Sequence, residues 1–119
     1  GKALHYPSAK GQVEGGAMLG LGLALFEEMI YEDGQLRNAD AFQYRLPLMR
    51  DLPREWFTSI IELEDGPGPF GSKAMAQTSV PCVTPAIANA IYDATGARLT
   101  QTPFTPERVL RALGALDSR

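Results

Sequence analysis

Two stretches of this 119-residue chain carry residue types and spacings suited to ligand chemistry. The first is Gly11-Gln12-Val13-Glu14-Gly15-Gly16. It opens a run with helical periodicity. A helix start offers unpaired N–H groups and a positive dipole end to an anionic or carbonyl-bearing ligand. Gln12 adds a side chain that both donates and accepts hydrogen bonds. The same glycines also suit a tight helix start packed against a strand. No strand precedes them, so the stretch does not read as a G-x-G-x-x-G nucleotide loop. The second stretch is Gly71-Ser72-Lys73-Ala74-Met75-Ala76-Gln77-Thr78-Ser79. Its small residues let a ligand approach the backbone, and Lys73 can pair with an anion or a nearby carboxylate. An ordinary surface loop has the same composition, and no Walker loop is present.

The other reactive residue types offer less. Glu27 and Glu28 are neighbours, so on a helix they point about 100° apart and read as a solvated end rather than a carboxylate pair. His5, the one histidine, has no acid or nucleophile pattern beside it and reads as a surface or packing residue. Cys82, the one cysteine, reads as a small buried hydrophobe. A protein-ligated zinc or iron–sulfur site needs several converging Cys, His or carboxylate ligands. A metal ligated by this chain is therefore not expected, and any metal has to arrive with its own chelator. A lone cysteine cannot close an internal disulfide, and a reducing cytoplasm is the simplest expectation.

Composition narrows the partners. Hydrophobic residues make up 45% and charged residues 21%, with a net charge of −3, as in a globular protein. The basic residues are scattered, which argues against nucleic acid or an anionic membrane. The most apolar run, Ala17 to Phe26, is about half the roughly 20 residues of a spanning helix. No apolar h-region follows Lys2, so no signal peptide is expected.

The elements that must hold the two stretches follow from periodicity. Residues 1–11 read as an irregular lead-in. Gln12 to Glu28 reads as a helix apolar nearly all round, hence buried on most sides. Gly15, Gly16, Gly20 and Gly22 would each weaken it by about 1 kcal/mol, so they need a reason, close backbone packing being the commonest. Asp33-Gly34 predicts a hairpin turn. Phe42 to Leu46 reads as a short strand closed by Pro47. Phe57 to Glu64 alternates and reads as a half-buried strand. Residues 65–81 read as a long loop of the kind that is functional or disordered. Thr84-Pro85 and Thr105-Pro106 each predict a helix start, with Gly96 and Gly114 as stops. The sum is an α+β arrangement: short antiparallel strands, a long buried N-terminal helix and two C-terminal helices. The strands are few, and a partner is expected to cover what they leave exposed.

Taken in order, these segments resemble one family. Gly11 to Gly16, then Gly20-Leu21-Gly22 and Leu25-Phe26-Glu27-Glu28, resembles the GQ-[VI]-EGG…GLG…L-x-EE signature of molybdenum hydroxylase large subunits. Tyr44-Arg45-Leu46-Pro47 resembles their [DT]-Y-x-[IL]-P, and Gly68 to Lys73 their GP-[FY]-G-[AS]-K. The helices begun at Thr84-Pro85 and Thr105-Pro106 resemble the closing pair of the xanthine dehydrogenase/aldehyde oxidase family. The resemblance implies that residues 1–119 are one C-terminal fragment of a larger molybdenum-cofactor-binding domain. It implies oxidation of aldehydes, purines or N-heteroaromatics with a molybdenum–molybdopterin cofactor, the metal being held by the pterin's own sulfurs. Iron–sulfur and FAD groups would sit on partner subunits or domains, and the remainder of the large subunit would be the first partner. Gln12 and Gly15 would meet the pterin, and Gly71, Ser72, Lys73 and Ala74 would lie beside the metal.

One departure stands out. The family reads K-G-V-G-E where this chain has Lys73-Ala74-Met75-Ala76-Gln77. The family's glutamate is a general base. A carboxylate can accept a proton near neutral pH and a carboxamide cannot. Ala74 and Ala76 replace glycines and resist positive φ. The alternative expectation is thus a non-catalytic binding or assembly module, or an orphan fragment, that keeps the fold.

Overall fold

A computed structural model describes residues 1–115. Its first element, α1, spans Tyr6–Leu25. The helix therefore begins within the expected irregular lead-in. Pro7 sits in the first turn, where a missing N–H costs nothing. His5 is the N-cap, its Nδ1 accepting from Ser8 N at 3.3 Å. The helix also ends sooner than Glu28, at a cap where Phe26 N donates to Gly22 O.

A short hairpin follows, β1 (Tyr31–Glu32) and β2 (Gln35–Leu36), antiparallel with Tyr31 opposite Leu36. Asp33 and Gly34 turn it with φ of 50° and 75°, as the Asp-Gly pair predicts. The expected strand at Phe42–Leu46 is instead a single helical turn, α2 (Ala41–Tyr44). Asp40 decides this, because its Oδ1 accepts from Phe42 N and Gln43 N at 3.0 and 2.9 Å. A local side-chain cap displaces extended backbone there.

The expected strand at Phe57–Glu64 runs outside regular secondary structure. Among the described residues no backbone–backbone hydrogen bond gives it a ladder. The expected start at Thr84-Pro85 is also displaced. Helix α3 spans Val80–Thr95, with Pro81 in its first turn and Pro85 inside. Pro85 lies past the first turn and so removes the hydrogen bond its N–H would have made to Pro81 O. Gly96 ends α3 in the left-handed conformation. Helix α4, Pro106–Ala112, starts as predicted, with Thr105 Oγ1 accepting from Arg108 N at 3.3 Å. The fold class is mixed α+β: helices and one two-stranded antiparallel sheet.

Helix α1 packs on α3, and its glycines set how closely. Gly16, Gly20 and Ala24, four residues apart, form the buried stripe. A Cβ at Gly20 would lie 2.7 Å from Val80 O and 2.8 Å from Val83 Cβ. At Gly16 it would collide with Ser79 Oγ, which donates to Val13 O at 2.8 Å. The neighbouring stripe about 100° round the helix, Gly11, Gly15, Leu19 and Leu23, is exposed. Gly22, on the far side, is buried against Glu27 and Pro47, so the described residues bury the Gly16–Ala24 stripe and one further point rather than most sides.

The C-terminal end of α1 is tied rather than solvated. Arg108 Nη2 meets Glu28 Oε1 at 2.6 Å and its Nη1 donates to Pro103 O at 2.9 Å. Buried Asn38 donates to Glu28 O and accepts from Ile30 N. The small core beside it comprises Ala24, Ala97 and Phe104, with Phe104 N donating to Ala24 O at 2.6 Å. Cys82 is exposed, because the first turn of α3 turns it away from α1. The chain as a whole is spread out. Its radius of gyration is 18.0 Å, against about 13–14 Å for a compact domain of this length.

These contacts give a paired expectation. Gly20→Ala adds a methyl where backbone already sits, and is expected to lower stability by about 1–3 kcal/mol. Gly11→Ala meets nothing within 4 Å and is expected to raise it by up to about 1 kcal/mol through helix propensity alone. Urea unfolding of the two variants beside the parent chain checks this; equal midpoints would overturn the account of the glycines.

Candidate functional site

The two stretches singled out by residue type meet at one cavity of about 440 Å³. Its lining includes Gln12 from α1 and Ser72, Lys73 and Ala74 from the long loop. Gly71 precedes the lining segment directly. Gly15 lies one helical turn beyond Gln12, exposed and with nothing within 4 Å of a Cβ placed there. Gln77 sits between two residues of the loop's far arm, of which Thr78 lines the cavity.

The loop is held by its own backbone. Gly66 N donates to Gly71 O at 3.0 Å, Gly68 N to Ser72 O at 3.0 Å, and Ser72 N to Pro69 O at 3.1 Å. Phe70 and Gly71 are consecutive left-handed residues, with φ of 54° and 71°. A Cβ at Gly71 would lie 2.7 Å from Glu64 Cα, and one at Gly68 would lie 2.9 Å from Ser72 O. Glycine is required at both points, and the knot they form aims Ser72 and Lys73 at the cavity. The far arm is held by Ser79, whose hydroxyl binds Val13 O. Beyond the loop, a turn with Val80 N donating to Gln77 O at 3.2 Å leads into α3.

Gln77 itself is left-handed, with φ of 53°. A residue with a Cβ gives up about 1–2 kcal/mol in that conformation. Ala74 and Ala76 adopt no positive φ, so the two alanines meet no steric objection here. The one left-handed position between Ser72 and Ser79 falls on Gln77 itself.

The charge at the mouth is mostly neutralised. Lys73 Nζ pairs with Asp65 Oδ1 at 2.9 Å, the nearby-carboxylate option raised for it above. Glu14, between Gln12 and Gly15, accepts from Thr58 Oγ1 at 2.8 Å and lies 3.6 Å from Lys10 Nζ. It therefore serves to hold the segment at 57–64 against α1. Among the described residues no three His, Cys, Asp or Glu side chains converge.

Sequence reasoning missed part of the lining. His5, Ser8 and Ala9 line the cavity too, together with Ile60, Ile61 and Met75. The Gly11–Gly16 stretch is not a helix start, so Gln12 presents its carboxamide from the flank of α1. The true first turn contributes Ser8 and Ala9 instead. Pro7 was the available signal, since proline favours the first helical turn. Ile60 was signalled only as one face of an alternating segment.

The residues present suit a heterocycle with a hydrogen-bonding edge. Gln12 offers a donor and an acceptor, Ser72, Thr78 and Ser8 offer hydroxyls, and Ala9, Ala74, Ile60 and Met75 offer apolar walls. This mix of apolar walls with a few polar groups is the usual make-up of cofactor pockets.

The Lys73–Asp65 pair has a titration signature. Hydrogen bonding to Lys73 holds the Asp65 carboxyl below its ordinary value. That tie is fully present above the unfolded-state pKa and is lost as pH falls through the lowered folded one. Lys73→Met is expected to move the Asp65 midpoint upward, read from its carboxyl carbon by NMR. A midpoint that stays where it was would sink the pairing.

Comparison with known proteins agrees with the geometry. A family model described as molybdopterin cofactor-binding domain matches residues 1–53, which covers α1 and the hairpin. The chain is 38% identical over 106 residues to a probable hypoxanthine oxidase of Escherichia coli, covering 88% of this chain and 11% of that protein. It is 37% identical over 111 residues to a putative xanthine dehydrogenase molybdenum-binding subunit of the same organism, covering 92% of this chain and 15% of that one. An aldehyde oxidoreductase molybdenum-binding subunit, also from Escherichia coli, is 32% identical over 115 residues, covering 95% of this chain and 16% of its own length. The chain thus spans 11–16% of the length of these relatives. The glycine-laden helix, the small-residue loop and the ordered matches lead to one assignment: the chain belongs to the xanthine dehydrogenase/aldehyde oxidase family, as a stretch of its molybdopterin-binding large subunit.

Proposed function

We propose that this chain forms part of the molybdopterin site of a molybdenum hydroxylase-type oxidoreductase, acting on an aldehyde, purine or N-heteroaromatic. It does so as a C-terminal fragment of the domain, with the remainder of the large subunit. Iron–sulfur and flavin partners, and a cytoplasmic setting, follow from the same reading. The observation that carries it is the convergence of Gln12 with Ser72, Lys73 and Ala74 on one cavity.

The chain's residues have distinct tasks in this reading. Gln12 hydrogen-bonds the pterin edge from the flank of α1. Gly15 leaves an open helix surface on which the cofactor can lie, since a side chain there would stand in its path. The glycine knot at 66–72 fixes Ser72 and Ala74 along the cavity wall. The cofactor, when bound, supplies the two-electron redox chemistry and brings the metal's ligands with it. Gln77 cannot take a proton as a carboxylate would. It can donate to, and accept from, a substrate or a water molecule.

The second reading, a non-catalytic binding or assembly module or an orphan fragment that keeps the fold, is favoured by Gln77 alone.

Two measurements test these roles in the full molybdenum-binding subunit. Gln12→Ala removes one hydrogen-bonding group and is expected to weaken cofactor retention about tenfold, measured as molybdenum and pterin content after dialysis. Full retention would remove Gln12 from the site. Gln77→Glu supplies the missing base and is expected to raise turnover about a hundredfold or more, the usual range for general-base catalysis. Abolished activity would mean that the carboxamide has a role of its own.

A further inference from the structure

We infer that the extended segment Trp56–Glu64 is an unfilled sheet position that takes a β-strand from the remainder of the molybdenum-binding subunit; this rests on the reading that the chain works with that remainder.

The segment has two faces, and one is already docked. Trp56, Thr58 and Ile60 are half-buried, and Thr58 Oγ1 donates to Glu14 of α1 at 2.8 Å. The other face carries Phe57, Ser59, Ile61 and Leu63. Phe57 is 91% exposed, Ile61 85% and Leu63 60%. Strict alternation with one face packed is the pattern of a sheet strand, not of a surface loop.

Its backbone is equally unpartnered. Between Pro53 and Asp65 no backbone group takes part in a backbone–backbone hydrogen bond among the described residues. Its ties to the start of the chain run through side chains: Glu62 Oε1 accepts from Ala3 N at 2.6 Å, and Glu64 Oε1 accepts from Lys2 Nζ at 2.8 Å. The main chain of the segment therefore has its ladder hydrogen bonds still to make. The only sheet in the described chain is the two-residue hairpin at Tyr31–Leu36, too short to supply a neighbour.

The occupant follows from length and chemistry. The chain covers 11–16% of the relatives' length, so more than four-fifths of such a subunit lies outside it. A strand added edge-on satisfies the main chain, and its alternate apolar side chains cover Phe57 and Ile61. Ile60 and Ile61 also line the cavity. The added strand would thus stiffen one wall of the cofactor site.

Amide hydrogen–deuterium exchange over residues 56–64 tests this, comparing the 119-residue chain with the full molybdenum-binding subunit. Ladder formation is expected to slow exchange at alternate amides of the segment at least a hundredfold in the subunit, while the chain alone exchanges freely. Fast exchange in a subunit that retains molybdenum and pterin would overturn the strand and leave the proposed function intact. Protection in a subunit that never binds the cofactor would support the strand and overturn the proposed function. Protection that rises with concentration of the chain alone would overturn it in favour of a second copy as occupant. Ser59→Pro gives a check by variant: removing one donor at mid-segment is expected to weaken association of the chain with the remainder at least tenfold, and Ser59→Ala to leave it unchanged. Equal association by the two variants would also overturn the proposal.

Discussion

The close approach of α1 and α3 through Gly16 and Gly20 governs the rest of the structure. With no side chain at either position, Val80 O and Val83 lie against the α1 backbone. Ser79 then reaches Val13 O. That hydroxyl is the far anchor of the long loop, whose near anchor is the glycine knot at 66–72. Between the two anchors the loop is held at both ends, at one of them to α1 itself. Ser72, Lys73, Ala74 and Thr78 therefore face the same space as Gln12. A methyl group at Gly20 would separate the helices and carry the far anchor with it. Site geometry here is a consequence of helix packing rather than of the loop's own sequence.

The same constraint explains the division of labour among the glycines. Gly16 and Gly20 are needed by the chain itself. Gly11 and Gly15 are not, since among the described residues nothing lies within 4 Å of a Cβ placed there. A helix does not hold unneeded glycines cheaply, as each weakens it by about 1 kcal/mol relative to alanine. The face they share with Leu19 and Leu23 is open, and so is the apolar face of Trp56–Glu64. Of the residues on these two faces, Ile61 lines the cavity. A chain with three buried hydrophobic residues among those described has most of its apolar surface still to cover, which is why burial expected from hydrophobicity alone was not met.

What the sequence made legible divides along the same line. Features set by local chemistry were readable. The Asp33-Gly34 turn, the Thr105 cap, the Gly96 stop and the family motifs depend on residues a few positions apart. The Gly71–Ser79 loop was readable as irregular because glycine and proline exclude regular structure. Features set by competition between neighbours were not. Asp40 turned an apparent strand into a helical turn, and Pro7, inside the expected irregular lead-in, instead sits in the first turn of α1. Arg108 reached Glu28 from the far end of the chain, which no local pattern announces. The segment Phe57–Glu64 is the instructive case. Its alternation reads as a half-buried strand, but it forms no strand, and Phe57, Ile61 and Leu63 are exposed.

Gln77 joins these threads. Its position is fixed by the turn before α3, and the turn requires a left-handed residue there. That conformation costs a side-chain-bearing residue about 1–2 kcal/mol, and glycine or asparagine would occupy it more cheaply. Gln77 is not among the residues that line the cavity, and the left-handed backbone alone assigns its side chain no role. The carboxamide differs from a carboxylate in proton chemistry, not in length, so exchanging one for the other leaves this backbone geometry as it is and changes only what the group can donate or accept.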